Sequence, residues 1–310
     1  MLAQVLYLVF NDLFRICKSY YKSGVYIMSI PKVLAIHDMS CVGKAALTVI
    51  LPILAACGVE AVPLPTAILS NHLAFPHVEK FDFTSYMHAF MNVWSQNQTT
   101  FHAIYSGYLA LPKQIQIVED AISRYKIKKS IIMIDPVMGD KGKLYKGYEH
   151  DMVLGMKHLI SYADIIKPNY TEACFLCDIP EESTKIPTEN TINILFENLR
   201  KKVHNIIITS IPTSNQMFRN IFWDGDKGEK GEVSFPLIPV KTYGTGDIFS
   251  SIIIAASLKQ IPLSKAVAIA TDFLNEVIKF TWEEKSNPLE GICFEQELSK
   301  LIQSMKQEDI

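Results

Sequence analysis

The residues best suited to chemistry lie near the C-terminus, where Gly244-Thr245-Gly246-Asp247 precedes a long apolar run, residues 248–256. The run predicts a buried helix, and the start of a helix exposes unpaired N–H groups and the positive end of the helix dipole. These groups suit an anion such as a phosphate. An aspartate at this point is well placed to take a proton from a hydroxyl that attacks a phosphoryl group. A plain glycine loop with Asp247 as a helix cap explains this segment, taken alone, equally well.

Short apolar runs recur from residue 33 onward, and stretches with helical spacing separate most of them. The predicted strands are residues 33–36, 59–64, 102–105, 131–134, 164–166 and 206–208. The predicted helices between them are residues 45–57, 113–125, 150–161 and 191–203. Continuous apolar strands that alternate with helices favour an α/β fold, in which a mostly parallel sheet has helices on both faces as a three-layer α/β/α domain. Residues 217–223 and 232–239 flank a glycine-rich turn and predict a β-hairpin at the edge of this sheet.

Length, charge and composition limit the function classes. The chain has 310 residues, a formal net charge of −2 and 49% hydrophobic residues, which is typical of a soluble globular protein. No basic stripe is present, so nucleic acid is not an expected partner. Six scattered cysteines, in a chain without a secretory signal, favour a reducing cytoplasm.

The first 27 residues stand apart from the rest of the chain. Their apolar residues follow helical spacing, which predicts either a surface helix or, if translation begins at Met28, a segment that is not made. Residues 28–310 are predicted to form a single domain, for which no membrane contact is expected.

Polar residues follow the predicted strands in series. In an open α/β sheet the carboxyl ends of the strands form the ligand-binding edge. Asp135 ends a strand, and a carboxylate there can hold Mg²⁺ together with phosphate oxygens, although Asp-Pro is also an ordinary turn. Asn169 and Glu172 have the spacing of a capping box, a role compatible with metal-water binding. No G-x-x-x-x-G-K-[ST] sequence is present, so the anion cradle falls to residues 244–246.

The ordered set of motifs resembles the ribokinase superfamily. The Gly-Thr-Gly-Asp sequence is similar to the superfamily signature. Within the superfamily, the vitamin B6 kinases have segments similar to Ser-Gly-Tyr at 106–108, Asp-Pro-Val-Met-Gly-Asp at 135–140, Lys-Pro-Asn-x-x-Glu at 167–172 and residues 66–72. The resemblance covers roughly residues 32 to 290. It implies a ribokinase-like fold and a pyridoxal kinase, which phosphorylates the 5′-hydroxymethyl group of pyridoxal, pyridoxine or pyridoxamine with Mg-ATP.

Carried over residue by residue, the resemblance makes Asp247 the catalytic base, while the amides of Gly244, Thr245 and Gly246 stabilise the transferring phosphoryl group. Asp135 and Glu172 would organise Mg²⁺. The residues expected to bind the nucleotide are Asp135, Asp140, Tyr145 (in a flap), Lys167, Asn169, Glu172, Thr209 and Ser210. Those expected to bind the vitamer are Asp38, Thr66, Tyr108 and Asp247. The family also implies a homodimer and a monovalent cation, K⁺ or Na⁺.

The chain departs from the family pattern at its first loop. Asp38 stands where many B6 kinases carry a serine, which bears on the contact to the pyridine ring and on the preference among vitamers. Lys167 stands where several relatives have a small or apolar residue. The related hydroxymethylpyrimidine kinases often carry Cys at the position of Asp247, so the aspartate favours vitamin B6 as the substrate. A hydroxymethylpyrimidine kinase, or a degenerate protein that binds pyridoxal phosphate or ATP without turnover, remains the alternative.

Overall fold

The structure is a computed structural model that describes residues 30–306. Within this range the helices are α1 (Leu47–Ala56), α2 (Thr84–Gln96), α3 (Gln114–Tyr125), α4 (His150–Leu159), α5 (Tyr170–Leu176), α6 (Glu189–Leu199), α7 (Thr245–Leu258), α8 (Leu263–Glu283) and α9 (Leu298–Lys306). The strands of the main sheet are β1 (Lys32–Ser40), β2 (Glu60–Leu69), β3 (Lys80–Asp82), β4 (Ala103–Ser106), β5 (Ile131–Ile134), β8 (Ile165–Ile166), β9 (Asn205–Pro212), β10 (Met217–Asp224) and β11 (Glu229–Pro236). Two further strands, β6 (Gly139–Asp140) and β7 (Lys143–Leu144), form a separate small hairpin. The extension predicted for residues 1–27 lies outside the described residues.

The main sheet has nine strands in the order β11-β10-β9-β8-β5-β4-β1-β2-β3. The six central strands, from β9 to β2, pair in parallel. Strand β3 at one edge and the β10–β11 hairpin at the other pair antiparallel. The predicted three-layer α/β/α fold with an edge hairpin is therefore confirmed.

Successive side chains along each strand point to opposite faces of the sheet, and they form two hydrophobic cores, one on each face. On β1, Leu34 and Ile36 pack with helices α2 to α6, whereas Val33 and Ala35 pack with α1, α7, α8 and α9. All four side chains are fully buried. Since both faces of the central strands are covered, the strands show the continuous apolar runs that the sequence contains.

Strands β1 and β2 extend beyond their apolar runs, which corrects the predicted boundaries. The pairing continues past an irregularity between His37 and Met39 and includes Ser40 opposite Leu69. Asp38 and Thr66, expected in loops, therefore lie within β1 and β2. Hydrogen bonds between neighbouring strands hold these polar residues in the sheet, because buried backbone N–H and C=O groups must be paired.

Pairing between strands also extends β9, on the other side of the sheet, beyond its apolar run. Thr209 and Ser210 lie inside β9, because β10 pairs antiparallel with β9 as far as Pro212. The hairpin runs from Met217 to Pro236, so its second strand begins and ends three residues earlier than the sequence pattern indicated. Strand β3 and helix α2 were not predicted, since neither carries a strong periodic signal. No helix between residues 30 and 306 is long and apolar enough to cross a bilayer.

Candidate active site

Helix α7 begins at a glycine with a left-handed backbone. Gly244 has φ of 83°, and a Cβ at this position would lie 2.4 Å from the carbonyl oxygen of Lys44. Only glycine fits this close approach. The first hydrogen bond of the helix runs from Ile248 N–H to the Gly244 carbonyl at 3.0 Å. The N–H groups of Thr245, Gly246 and Asp247 therefore have no acceptor within the helix, and they point out of its first turn.

Asp247 is held in place by a backbone amide from another part of the chain. The Ala46 N–H donates to Asp247 Oδ2 at 2.8 Å. Ala46 has φ of 53° and ψ of −130°, a region that a residue with a Cβ rarely adopts. The pKa of Asp247 is raised to about 7, mainly by burial; the Asp135 and Asp38 charges add to this shift, and the Ala46 hydrogen bond opposes it. A carboxyl group with a pKa near neutrality suits a general base.

A buried ion pair lies beside this helix start. Lys167 Nζ lies 2.8 Å from Asp135 Oδ2, and both side chains are almost fully buried. Ser250 on α7 donates its hydroxyl to the same Asp135 oxygen at 2.9 Å. A Cβ on Gly246 would lie 3.3 Å from Lys167 Nζ, so the ammonium group adjoins the open N–H groups of α7. Burial lowers the pKa of Lys167, but the charges of Asp135 and Glu172 outweigh burial, and the net shift is upward.

The predicted capping box at the start of α5 is confirmed. Asn169 Oδ1 accepts from Glu172 N–H at 2.9 Å, and Glu172 Oε2 accepts from Asn169 N–H at 2.8 Å. Glu172 Oε1 also accepts from Met138 N–H at 3.1 Å. Burial raises the pKa of Glu172, and the neighbouring Asp135 carboxylate raises it further. The cap thus places a second carboxylate close to Asp135.

The β6–β7 hairpin is fastened to the same helix end and carries two predicted nucleotide-binding residues. Asn169 Nδ2 donates to the Gly139 carbonyl at 2.8 Å, and Gly142 N–H donates to Thr171 Oγ1 at 2.9 Å. Asp140 lies exposed in the hairpin, and Tyr145, 39% exposed, follows it. That Tyr145 belongs to a flap over the nucleotide stays a prediction.

The carboxylates fit a divalent cation that also binds phosphate. Among residues 30–306, no three His, Cys, Asp or Glu side chains converge as a complete metal site. Asp135 Oδ1 is buried without a hydrogen-bond partner in this range. The Asp135 charge raises the pKa of Glu172 further, after burial, and the Lys167 charge opposes this shift. Mg²⁺ commonly binds one or two carboxylates and takes its other ligands from phosphates and water.

A cavity of about 220 Å³ lies beside the end of β9. Its polar lining includes Ser210, Thr242 and Asn275, and Phe218 and Phe235 form part of its apolar wall. Ser210 has φ of 57°, and its N–H donates to Asn220 Oδ1 at 3.1 Å. An apolar cavity with a few polar groups suits the base of a nucleotide. Thr209, by contrast, is buried, and its N–H donates to the Pro168 carbonyl at 3.0 Å.

Three of the four predicted vitamer-binding residues lie on or just after β1, β2 and β4, whereas Asp247 lies on α7. The Thr66 hydroxyl donates to the Tyr108 carbonyl at 3.0 Å, so its donor is already used. Tyr108 stacks on Tyr148 with ring centroids 5.7 Å apart. Gln114 on α3 is fully buried and donates to the Thr66 carbonyl at 2.8 Å, which fixes this part of β2. Asp38 is 5% exposed and accepts from the Ser40 hydroxyl at 2.9 Å.

Sequence reasoning missed several of these supporting residues. Ala46 acts through its backbone, and no side-chain pattern reveals that role. Ser250 lies within an apolar helical run, and a serine at such a buried position could have indicated a hydrogen-bonding role. Tyr148 and Gln114 gave no signal, because their partners are distant in sequence. His37 is fully buried on β1, and burial lowers its pKa to about 3, so its imidazole is a weak proton acceptor.

Substitution of Gly244 tests the tight start of α7. We expect Gly244→Ala to lower the free energy of unfolding by at least ~1 kcal/mol more than Gly58→Ala, because overpacking against the Lys44 carbonyl adds to backbone strain. Gly58 is a matched control, since its φ of 76° is also positive but a Cβ there meets nothing within 4 Å. Urea unfolding of both variants measures the difference. Equal losses would contradict the close approach.

Substitution of Lys167 tests the buried ion pair. Lys167→Met should cost about 3–5 kcal/mol, because it leaves the buried Asp135 charge without a partner. The double variant Asp135→Asn/Lys167→Met should recover much of this loss. The control Lys300→Met, which removes a solvent-exposed ion-pairing lysine, should change urea unfolding little. A loss for Lys167→Met no larger than the control's would show that the pair is not buried.

Comparison with known proteins places this site in a family. Residues 51–290 match the family model described as phosphomethylpyrimidine kinase. A Bacteroides thetaiotaomicron structure, solved with pyridoxal and described provisionally as a phosphomethylpyrimidine kinase, has 36% identity and a TM-score of 0.84, covering 88% of this chain and 96% of that one. The pyridoxal kinase of Lactobacillus plantarum has 25% identity and a TM-score of 0.81, covering 89% and 98%.

A curated relative in sequence is the pyridoxal kinase of Dictyostelium discoideum, with 26% identity over 79% of this chain and 86% of that protein. These matches extend over most of the chain, and the family match includes Asp135, Lys167, Glu172 and Asp247. The chain belongs to the phosphomethylpyrimidine kinase family and has the ribokinase-like fold.

Proposed function

We propose that the protein is an ATP-dependent pyridoxal kinase, which transfers the γ-phosphoryl group of ATP to the 5′-hydroxymethyl group of a vitamin B6 vitamer. The observation that carries this proposal is the helix start at Gly244. There Asp247, fixed by the Ala46 amide, adjoins three unpaired N–H groups and the buried Lys167. Relatives named pyridoxal kinase, and a structural neighbour solved with pyridoxal, support the choice of substrate.

In the proposed reaction, Asp247 accepts the proton of the 5′-hydroxyl group while the hydroxyl oxygen forms a bond to the γ-phosphorus of ATP. The bond between the γ-phosphorus and the β–γ bridging oxygen breaks, and ADP leaves with that electron pair. The N–H groups of Thr245, Gly246 and Asp247 stabilise the negative charge on the transferring group. Lys167, beside Gly246, adds a fixed positive charge. A Mg²⁺ ion bound with ATP would neutralise phosphate charge, held by Asp135 and Glu172 directly or through water.

The remaining assignments concern the nucleotide, a further cofactor and the location of the protein. The nucleotide base occupies the cavity at Ser210, and the flap at Asp140 and Tyr145 covers the phosphates. A monovalent cation is assigned as a further cofactor on the family resemblance alone. The scattered cysteines support a cytoplasmic location.

A homodimer is supported by one exposed aromatic face, defined by Phe81, Tyr86, Phe90 and Val93, each at least 40% exposed. Exposed apolar patches of this kind mark protein interfaces.

A substrate panel with Mg-ATP tests the function. Pyridoxal, pyridoxamine, pyridoxine and hydroxymethylpyrimidine are compared by ADP release and by mass spectrometry of the product. We expect phosphorylation of at least one B6 vitamer. The family model favours hydroxymethylpyrimidine as a second candidate substrate. Turnover of hydroxymethylpyrimidine alone would overturn the B6 proposal, and ligand binding without ADP release would indicate a degenerate kinase.

Removal of the base should separate chemistry from binding. Asp247→Asn is expected to lower kcat by about 100-fold or more, since loss of a general base typically costs that much. ATP affinity, measured by calorimetry, should change little, because the amides of α7 remain. Unchanged turnover would remove Asp247 from this role.

The pH profile tests the same residue in the wild-type protein. The base acts only when ionised, and its pKa is raised to about 7 by burial. Log kcat/KM should therefore be flat above that pH and fall by about tenfold for each unit below it. The residual activity of Asp247→Asn serves as the control and should lack this inflection. An inflection shared by both proteins would assign it to the substrate or to another group.

A further inference from the structure

The loop before α1, residues 41–46, lies in close contact with two glycine backbones. A Cβ on Gly244, at the start of α7, would lie 2.4 Å from the Lys44 carbonyl oxygen. A Cβ on Gly291, near the C-terminus, would lie 2.3 Å from the Gly43 carbonyl oxygen and 2.9 Å from the Lys44 Cβ. Since neither glycine position leaves room for a side chain, the loop is tightly packed against both backbones.

The conformation of this loop is unfavourable, so other parts of the chain must impose it. Lys44 has φ of 51° and Ala46 has φ of 53°, although both residues carry a Cβ. Residues other than glycine rarely adopt a positive φ, and such strain persists only where surrounding contacts hold it. The hydrogen bond from the Ala46 N–H to Asp247 Oδ2 therefore depends on the contacts that hold the loop.

Segment 287–297 supplies further contacts of this kind besides Gly291. Lys44 Nζ lies 2.9 Å from Glu295 Oε1 and 5.9 Å from the centre of the Phe294 ring. An ammonium group that contacts both a carboxylate and an aromatic face is more restricted than one in an isolated surface pair. The segment therefore holds the loop through a side chain as well as through its backbone.

His72, in the loop after β2, adds a link between loop 41–46 and the same segment. A Cβ on Gly43 would lie 2.3 Å from His72 Cδ2, so the imidazole packs on this glycine. His72 Nε2 also lies 2.9 Å from the Leu289 carbonyl oxygen, to which it donates when that nitrogen carries the proton. One side chain thus contacts both the loop and segment 287–297.

Segment 287–297 is itself fixed to the core of the domain. Ile292 is fully buried and Phe294 nearly so, within the core that contains α7 and α8. The Cys293 N–H donates to the hydroxyl oxygen of Thr281, on α8, at 2.9 Å. The segment is therefore a rigid support for the loop.

Building on the proposed function, we infer that Gly291 and Glu295 are positioning residues for the catalytic base. They hold loop 41–46 where the Ala46 N–H binds one oxygen of the Asp247 carboxylate. The other oxygen is then left to accept the proton of the 5′-hydroxyl group. Both residues act through the loop and not by contact with the substrate.

Gly291→Ala tests this inference in the full chain, with Mg-ATP and a vitamer that the wild type phosphorylates. We expect kcat to fall by about tenfold or more with little change in KM for ATP, since a misplacement of about 1 Å at a reacting group can cost on the order of 100-fold. The control Gly58→Ala also places a Cβ at a positive φ, 76°, but meets nothing within 4 Å, so it should keep kcat. An unchanged kcat for Gly291→Ala, or an equal loss in the control, would overturn the inference.

The same substitution in an Asp247→Asn background separates positioning from a general structural effect. The base is already lost there, so Gly291→Ala should change the residual kcat by less than about twofold. A loss of the same size in both backgrounds would mean that Gly291 affects the fold or the phosphate cradle, and it would also overturn the inference.

Hydrogen exchange of the Ala46 N–H gives a readout that does not require turnover. This amide is hydrogen-bonded to Asp247, so it should exchange slowly in the wild type and about tenfold faster in Gly291→Ala. The N–H of Ile134, in the central strand β5, should keep its protection. Unchanged exchange at Ala46 would show that Gly291 does not hold the loop.

Glu295→Gln covers the case in which Gly291→Ala does not fold. It removes the ion pair with Lys44, so exchange at Ala46 should rise and kcat should fall, each by about twofold or more. Glu276→Gln, which removes an exposed ion pair elsewhere, is the matched control and should change neither. No difference between the two variants would overturn the inference. If the wild type phosphorylates no vitamer, the proposed function fails, and exchange at Ala46 alone decides whether segment 287–297 holds the amide that binds Asp247.

Discussion

The candidate site depends on one buried cation, the ammonium group of Lys167. It pairs with Asp135 at 2.8 Å, and the charges of Glu172 and Asp247 also act on it. Three carboxylates could not be kept together in a poorly solvated region without it, because like charges and burial both oppose ionisation. Since Lys167 also adjoins Gly246, the same charge lies beside the N–H groups of α7. The lysine therefore holds the acidic groups together and adds to the attraction for an anion.

Several chain segments must meet for this arrangement to form. Asp135 follows β5, Lys167 follows β8, and Ser250 lies on α7. The loop before α1 supplies the Ala46 amide and approaches Gly244 so closely that a side chain there would collide with Lys44. Ala46 adopts an unfavourable backbone conformation to do so. Strain of this kind persists only where surrounding contacts impose it, and such places are often functional.

The two ends of the site differ in how their charges are balanced. At the phosphate end the carboxylates have a lysine partner and unpaired amides nearby. At the Tyr108–Tyr148 end, Asp38 accepts hydrogen bonds from the neutral Ser40 hydroxyl and from its own backbone N–H. In the proposed reaction, fixed groups at the first end stabilise the charge that develops during phosphoryl transfer.

Sequence by itself determined the α/β class, the parallel order of apolar strands and helices, and the segments that carry the polar strand ends. Apolar periodicity and local motifs such as the Asn169–Glu172 cap act over a few residues and can be read directly. Tertiary structure decided where β1, β2 and β9 end, because ladder partners extend them through Asp38, Thr66 and Ser210. It also decided which charges are paired and that Ala46 positions Asp247. These depend on contacts between residues far apart in the chain, for which spacing carries no signal.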